Sequence, residues 1–106
     1  MSGLENCTEL FNLNCFHNEL TSLSGIENCH QLIHLVCYSN KLTSLSGLEN
    51  CHQLELLDAS VNKIQNLEAL YQLPNLKKID IRNNPNLSET EIARFREHQP
   101  NCKIIC

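Results

Sequence analysis

The sequence predicts an α/β solenoid. Short parallel strands line its concave side, 3₁₀ or single-turn helices its convex side, and a helical cap closes its C-terminal end. Three observations predict this. Apolar residues recur every 22 positions, as Leu10, Leu32, Leu54 and Leu76, and again as Leu13, Leu35, Leu57 and Ile79. Around the second of these columns, apolar and polar residues alternate with period two, as a half-buried strand requires. An asparagine stands at one fixed phase of the repeat, at Asn18, Asn40, Asn62 and Asn84.

The strand halves read LFNLNCFHNELTSL, LIHLVCYSNKLTSL, LELLDASVNKIQNL and LKKIDIRNNPNL. Cys15, Cys37, Ala59 and Ile81 share one inward column. Leu20, Leu42 and Ile64 share another, which Leu87 closes one residue late. A single unit cannot bury its own apolar residues, whereas stacked units share a continuous core. The asparagine column is expected to be buried. A primary amide carries two donors and an acceptor, so it can tie the turn after a strand to backbone groups of its own rung and the next.

This L-x-x-L-x-L-x-x-N-x-L pattern, running over nearly the whole chain, resembles the leucine-rich-repeat proteins. The 22-residue period is similar to that of the bacterial internalins and of the short phosphatase-regulatory type. The resemblance implies a fold and, more loosely, a role in binding proteins.

The convex halves read SGLENCTEL, SGIENCHQL, SGLENCHQL and EALYQLPNL. Gly3, Gly25 and Gly47 suit the turn onto that side, and the stretch after each is long enough only for 3₁₀ or single-turn helix. Thr21–Leu32 and Thr43–Leu54 share 11 of 12 residues, the mark of a recent internal duplication. Repeats are expected over residues 1–87 and a cap over 88–106. In the cap, Ser88 and Glu91 have the spacing of a capping box. Ile92 and Phe95, with His98 or Gln99, make one helical face, and Pro100 ends the helix. Residues 101–106 return as a last short rung. The N-terminal end, near Leu4, Leu10, Leu13 and Leu20, has no such cap, which leaves a weak homodimer through that end as one expected association.

The net charge of −4 argues against nucleic acid as the partner. Two lysines face eight carboxylates up to Leu76, against six basic and four acidic residues from Lys77 onward. There is no basic run to grip phosphate or lipid, and no apolar run of membrane-spanning length. The start lacks a basic segment followed by an apolar one, so no cleavable secretory signal is expected. With the odd count of seven cysteines, this points to reduced thiols and a cytoplasmic setting.

Every cysteine has a packing explanation. Cys7, Cys29 and Cys51 share a column with Leu73, so cysteine there acts as a small apolar residue. A nucleophile would need an electropositive pocket and a base, yet Cys15 and His17 alternate to opposite sides of their strand. Zinc would need ligands converging on one point, whereas Cys29-His30 and Cys51-His52 point adjacent side chains apart. His30 and His52 are read as solvated convex residues. No metal, cofactor or enzymatic activity is expected.

The water-facing positions of the four strands are the candidate binding surface. They are Asn12, Asn14, Phe16 and His17; His34, Val36, Tyr38 and Ser39; Leu56, Asp58, Ser60 and Val61; and Lys78, Asp80, Arg82 and Asn83. Of these, Asn14, Phe16, His17, His34, Val36, Tyr38, Leu56, Asp58, Ser60, Lys78, Asp80 and Arg82 are expected to touch a partner. Phe16 and Tyr38 fall in one column, and aromatics and arginine are common interface anchors. The two rings could instead shield each other, but the rest of the sheet face has nothing over it.

The expected function is non-enzymatic docking of one protein partner on the concave face, with masking or inhibition as the consequence. The repeats, rich in Asn and Cys, also resemble those of leucine-rich-repeat effectors of intracellular bacteria. That resemblance implies delivery into a host cytosol and action on a host protein or a companion enzyme. The alternative is a phosphatase-regulatory-type scaffold, which four repeats and two concave acids, Asp58 and Asp80, fit less well.

Overall fold

The computed structural model describes the backbone of residues 12–14 and the whole of residues 19–23 and 25–106. Five strands form one parallel sheet in chain order: β1 (Asn12–Asn14), β2 (His34–Val36), β3 (Leu56–Asp58), β4 (Lys78–Asp80) and β5 (Lys103–Ile105). The register follows the repeat. Leu13, Leu35, Leu57, Ile79 and Ile104 stand opposite one another at the strand centres. Leu35, Leu57 and Ile79 are buried and their neighbours along each strand are more exposed, apart from Asp80, which is the period-two alternation largely realised.

The return path of each rung is a 3₁₀ turn, at Ile26–Asn28, Leu48–Asn50 and Glu68–Leu70. The first two follow Gly25 (φ 97°) and Gly47 (φ 107°), both left-handed. A Cβ on Gly47 would sit 2.8 Å from Ile26 Cγ2, so the glycine also permits close stacking of the rungs. The fourth repeat has Ala69 at this phase and takes another route. Its 3₁₀ turn starts earlier in the repeat, from Leu67 with φ −118°.

The core is the stack of inward columns, with Leu32, Leu54, Leu76, Leu45, Leu67, Cys29, Cys51 and Leu73 among its members. Each fully buried leucine contributes about 1.5–3 kcal/mol relative to an exposed one. Helix α1 (Glu89–His98) closes this stack with Phe95, which is fully buried, and Ile92, which packs at the core's edge. Ser88 caps the helix by accepting from Glu91 N–H at 3.1 Å.

The reciprocal half of the capping box is replaced by a tertiary contact. Glu91 Oε2 instead accepts from Leu67 N–H at 2.8 Å and from Tyr71 O–H at 2.6 Å, pinning the helix to the fourth rung. Gln99 Nε2 completes the clamp by donating to the carbonyls of Leu70, Tyr71 and Leu73. His98 stays exposed and stacks on the Tyr71 ring, with centroids 4.1 Å apart.

Asn40, Asn62 and Asn84 are buried as expected, and Asn18 lies outside the described residues. Each amide donates to carbonyls of its own turn, Asn62 to Ala59 and Ser60, for example. The direction of the second tie differs from the expectation. Asn40, Asn62 and Asn84 accept from the N–H of Leu20, Leu42 and Ile64, all in the preceding rung rather than the following one. These N–H groups leave the strand ladder just where the chain turns away, so a side-chain acceptor replaces the backbone one.

Candidate protein-binding surface

The stacking that buries the leucines places the alternate residues in columns on the open face of the sheet. One column runs Asn12, His34, Leu56, Lys78, Lys103, and the next Asn14, Val36, Asp58, Asp80, Ile105. Lys103 and Ile105 extend the surface beyond the expected residues. Their phase was hidden because Ile104 and Ile105 are adjacent and give no alternation, and because α1 breaks the 22-residue spacing before β5.

Leu56 is 36% exposed and Val61 45%, and Lys78 and Arg82 are also exposed. His34, Val36, Tyr38 and Asp58 are half-buried. Phe16, His17 and the side chain of Asn14 lie outside the described residues, as does any pairing of Phe16 with Tyr38.

Two candidate residues differ from the expectation of an exposed position. Ser60 and Asp80 are both only 8% exposed. Ser60 Oγ donates to Asp58 Oδ1 at 2.8 Å, and Ser60 N–H to the same oxygen at 3.2 Å, which folds the hydroxyl into the turn. Asp80 lies under Arg82, whose Nε and Nη2 reach Oδ1 and Oδ2 at 3.1 and 2.8 Å. The guanidinium beside it holds the Asp80 carboxyl below the usual aspartate range. Asp58 and Asp80 therefore play one role on successive rungs, each accepting from the N–H two residues on.

A groove of about 370 Å³ lies over these strands. His34, Leu56, Asp58, Lys78, Asp80, Arg82 and Ile105 line it, together with Leu57. Apolar side chains and both signs of charge line it.

None of the described cysteines is among the residues that line this groove. Cys29, Cys37, Cys51 and Cys102 are buried. Burial, with help from Cys29, Glu49 and Glu27, pushes the Cys51 thiol up to about 12, and burial alone raises Cys102 to about 11. Cys106 departs from the packing expectation. It follows β5 and is exposed. Cys7 and Cys15 lie outside the described residues. His30 and His52 are exposed on the convex side. Among the described residues, no cluster of three or more ligand-type side chains could hold a metal, and no helix is long and apolar enough to cross a membrane.

A stacked parallel sheet with an open, mixed-polarity face defines a repeat protein of the interaction type. The family profile for Leucine Rich repeats (2 copies) matches residues 8–50 and 52–94, and the chain belongs to the leucine-rich-repeat family. Repeats of this family generally mediate protein–protein interaction. Among solved structures, a leucine-rich-repeat protein of Leptospira interrogans is similar at 27% identity and a TM-score of 0.85, over 92% of this chain and 26% of that one. An internalin of Listeria monocytogenes shares the fold at 24% identity and a TM-score of 0.86, over 96% of this chain and 29% of that one. The chain thus spans between a quarter and a third of the solved chains it matches. No curated protein matches it significantly.

Proposed function

We propose that this chain docks one protein partner on its concave face and masks the surface it covers, without catalysing a reaction itself. The observation that carries the reading is the groove over β2 to β5. It gathers six of the residues expected from the sequence, and nothing in the described fold covers it. Leu56 and Val61 are the two large apolar side chains exposed among the described residues; Leu56 lines this groove and Val61 follows β3 in the next turn. Exposed apolar area on an ordered sheet gains free energy when a partner removes it from water. A rigid curved sheet suits a convex target and requires little reordering on binding.

The masking consequence, a host protein or companion enzyme as target, and a reducing cytosolic setting belong to the same proposal. The buried thiols are compatible with that setting. The test is affinity capture with the whole chain, comparing wild type with Leu56→Glu/Val61→Glu, after melting shows both are folded. A stoichiometric protein captured by wild type and lost with the double variant supports the reading. Equal capture by both places the contact on another face.

A further inference from the structure

Lys78 and Lys103 stand directly opposite each other on β4 and β5, and both are exposed. Like charges in register on neighbouring strands repel. No carboxylate among the described residues forms an ion pair with either lysine. The nearest acid in sequence and register, Asp80, feels the Lys78 charge but makes its direct two-pronged contact with Arg82. Leu56 is next to Lys78 in the same column and lines the groove, with His34 on its other side.

These positions fix a spacing. With strands about 4.8 Å apart, the point between the two lysines lies about 7 Å from Leu56 across the sheet. Alternate residues of an extended chain, which point the same way, are also separated by about 7 Å.

Resting on the concave-face reading above, we propose that the groove takes an extended protein segment carrying an apolar side chain and, two residues away, an aspartate or glutamate. The apolar side chain seats on Leu56. The carboxylate sits between Lys78 and Lys103 and relieves their repulsion. A polyanion such as nucleic acid or an anionic lipid surface fits less well. Arg82 is already neutralised by Asp80, and Asp58 stands in the adjacent column beside it, so a run of phosphates would meet little net positive charge beyond the two lysines.

The probe is a displayed library of random linear peptides, selected on the whole chain and on two variants, Lys78→Glu/Lys103→Glu and Leu56→Glu. All three positions are exposed, and melting curves verify that each variant folds. On wild type, sequences with an apolar residue two positions from an acid are expected to dominate. On the charge-reversed variant the acid should give way to lysine or arginine. A synthetic wild-type winner should bind the charge-reversed variant about tenfold more weakly or worse, and its affinity for wild type should fall as salt rises.

Peptides that are lost with Leu56→Glu but show no acidic preference would overturn this inference while leaving the concave-face reading in place. Peptides held equally by all three proteins would overturn both. A selection that enriches nothing would overturn the inference, and affinity capture of a folded partner would then decide the concave-face reading separately. Labelled single-stranded DNA and anionic vesicles complete the set. Binding to either that depends on the two lysines would overturn the proposal in favour of a polyanion.

Discussion

Val61 has φ 55°, in the left-handed region, as do Ser39 (φ 59°) and Asn83 (φ 59°) at the same phase of the repeat. The chain must turn there because the N–H groups of Ser39 and Val61 still pair with the next rung, at Ser60 and Arg82, before the asparagine closes the turn. Asparagine tolerates this conformation, whereas a β-branched residue does not. Val61 is largely exposed and loses little packing on substitution. Val61→Asn is therefore expected to stabilise the fold by about 1 kcal/mol, seen as a rise in melting temperature of about 4–8 °C. An unchanged melt would show that the valine's contacts offset its strain. Asn40→Ala should cost about 1–3 kcal/mol, because it strands Leu20 N–H and removes one of the two amide donors to the Cys37 carbonyl. Chemical denaturation measures the loss. Thiol exposure differs as sharply: brief iodoacetamide treatment of the native chain should label Cys106, while Cys29, Cys37 and Cys51 should react only after unfolding. Mass spectrometry of the digested chain gives the order, and early labelling of Cys51 would contradict its buried, protonated state.

At the scale of elements, β4 and the turn after it are held by Asp80 and Arg82. The folded state keeps the Asp80 carboxyl below its ordinary value, so the unfolded chain binds the proton more readily. The stability from this contact is present in full above the ordinary aspartate range and is lost as pH falls through the depressed value. Melting temperature should therefore drop more steeply below about pH 4 in wild type than in Asp80→Asn. Parallel curves for the two proteins would show that the contact contributes nothing net. Helix α1 shows how an element-level signal can be half legible. The Ser88 and Glu91 spacing marked the N-terminus correctly. It could not show that the Glu91 carboxylate would turn away to Leu67 and Tyr71, because those groups arrive only when the helix docks.

The whole molecule is a one-dimensional stack, in which each rung is stabilised mainly by its neighbours. Leu57 lies between Leu35 and Ile79 at the centre of the sheet and is 3% exposed. Leu57→Ala should cost about 2–5 kcal/mol, since rungs on both sides restrict collapse of the cavity. Denaturant titration reads this as a lower midpoint. A loss well under that range would mean the stack relaxes along its axis. On the open side of the same rungs, the surface is a property of the assembly. His34, Leu56 and Lys78 are 22 residues apart in the chain and neighbours only across the sheet.

The sequence by itself determined the repeat, the strand phase, the inward leucines and the buried asparagines, because a period of 22 with internal alternation admits only one way of hiding those side chains. It also indicated which side of each strand faces water, and so most of the candidate surface. Only the tertiary structure decided that β5 supplies Lys103 and Ile105, since an inserted helix breaks the period and two adjacent isoleucines carry no phase. It also decided that Ser60 and Asp80 are withdrawn into side-chain contacts and that Lys78 faces Lys103. These are pairings between side chains, and they depend on rung register and turn geometry that a single repeat does not specify.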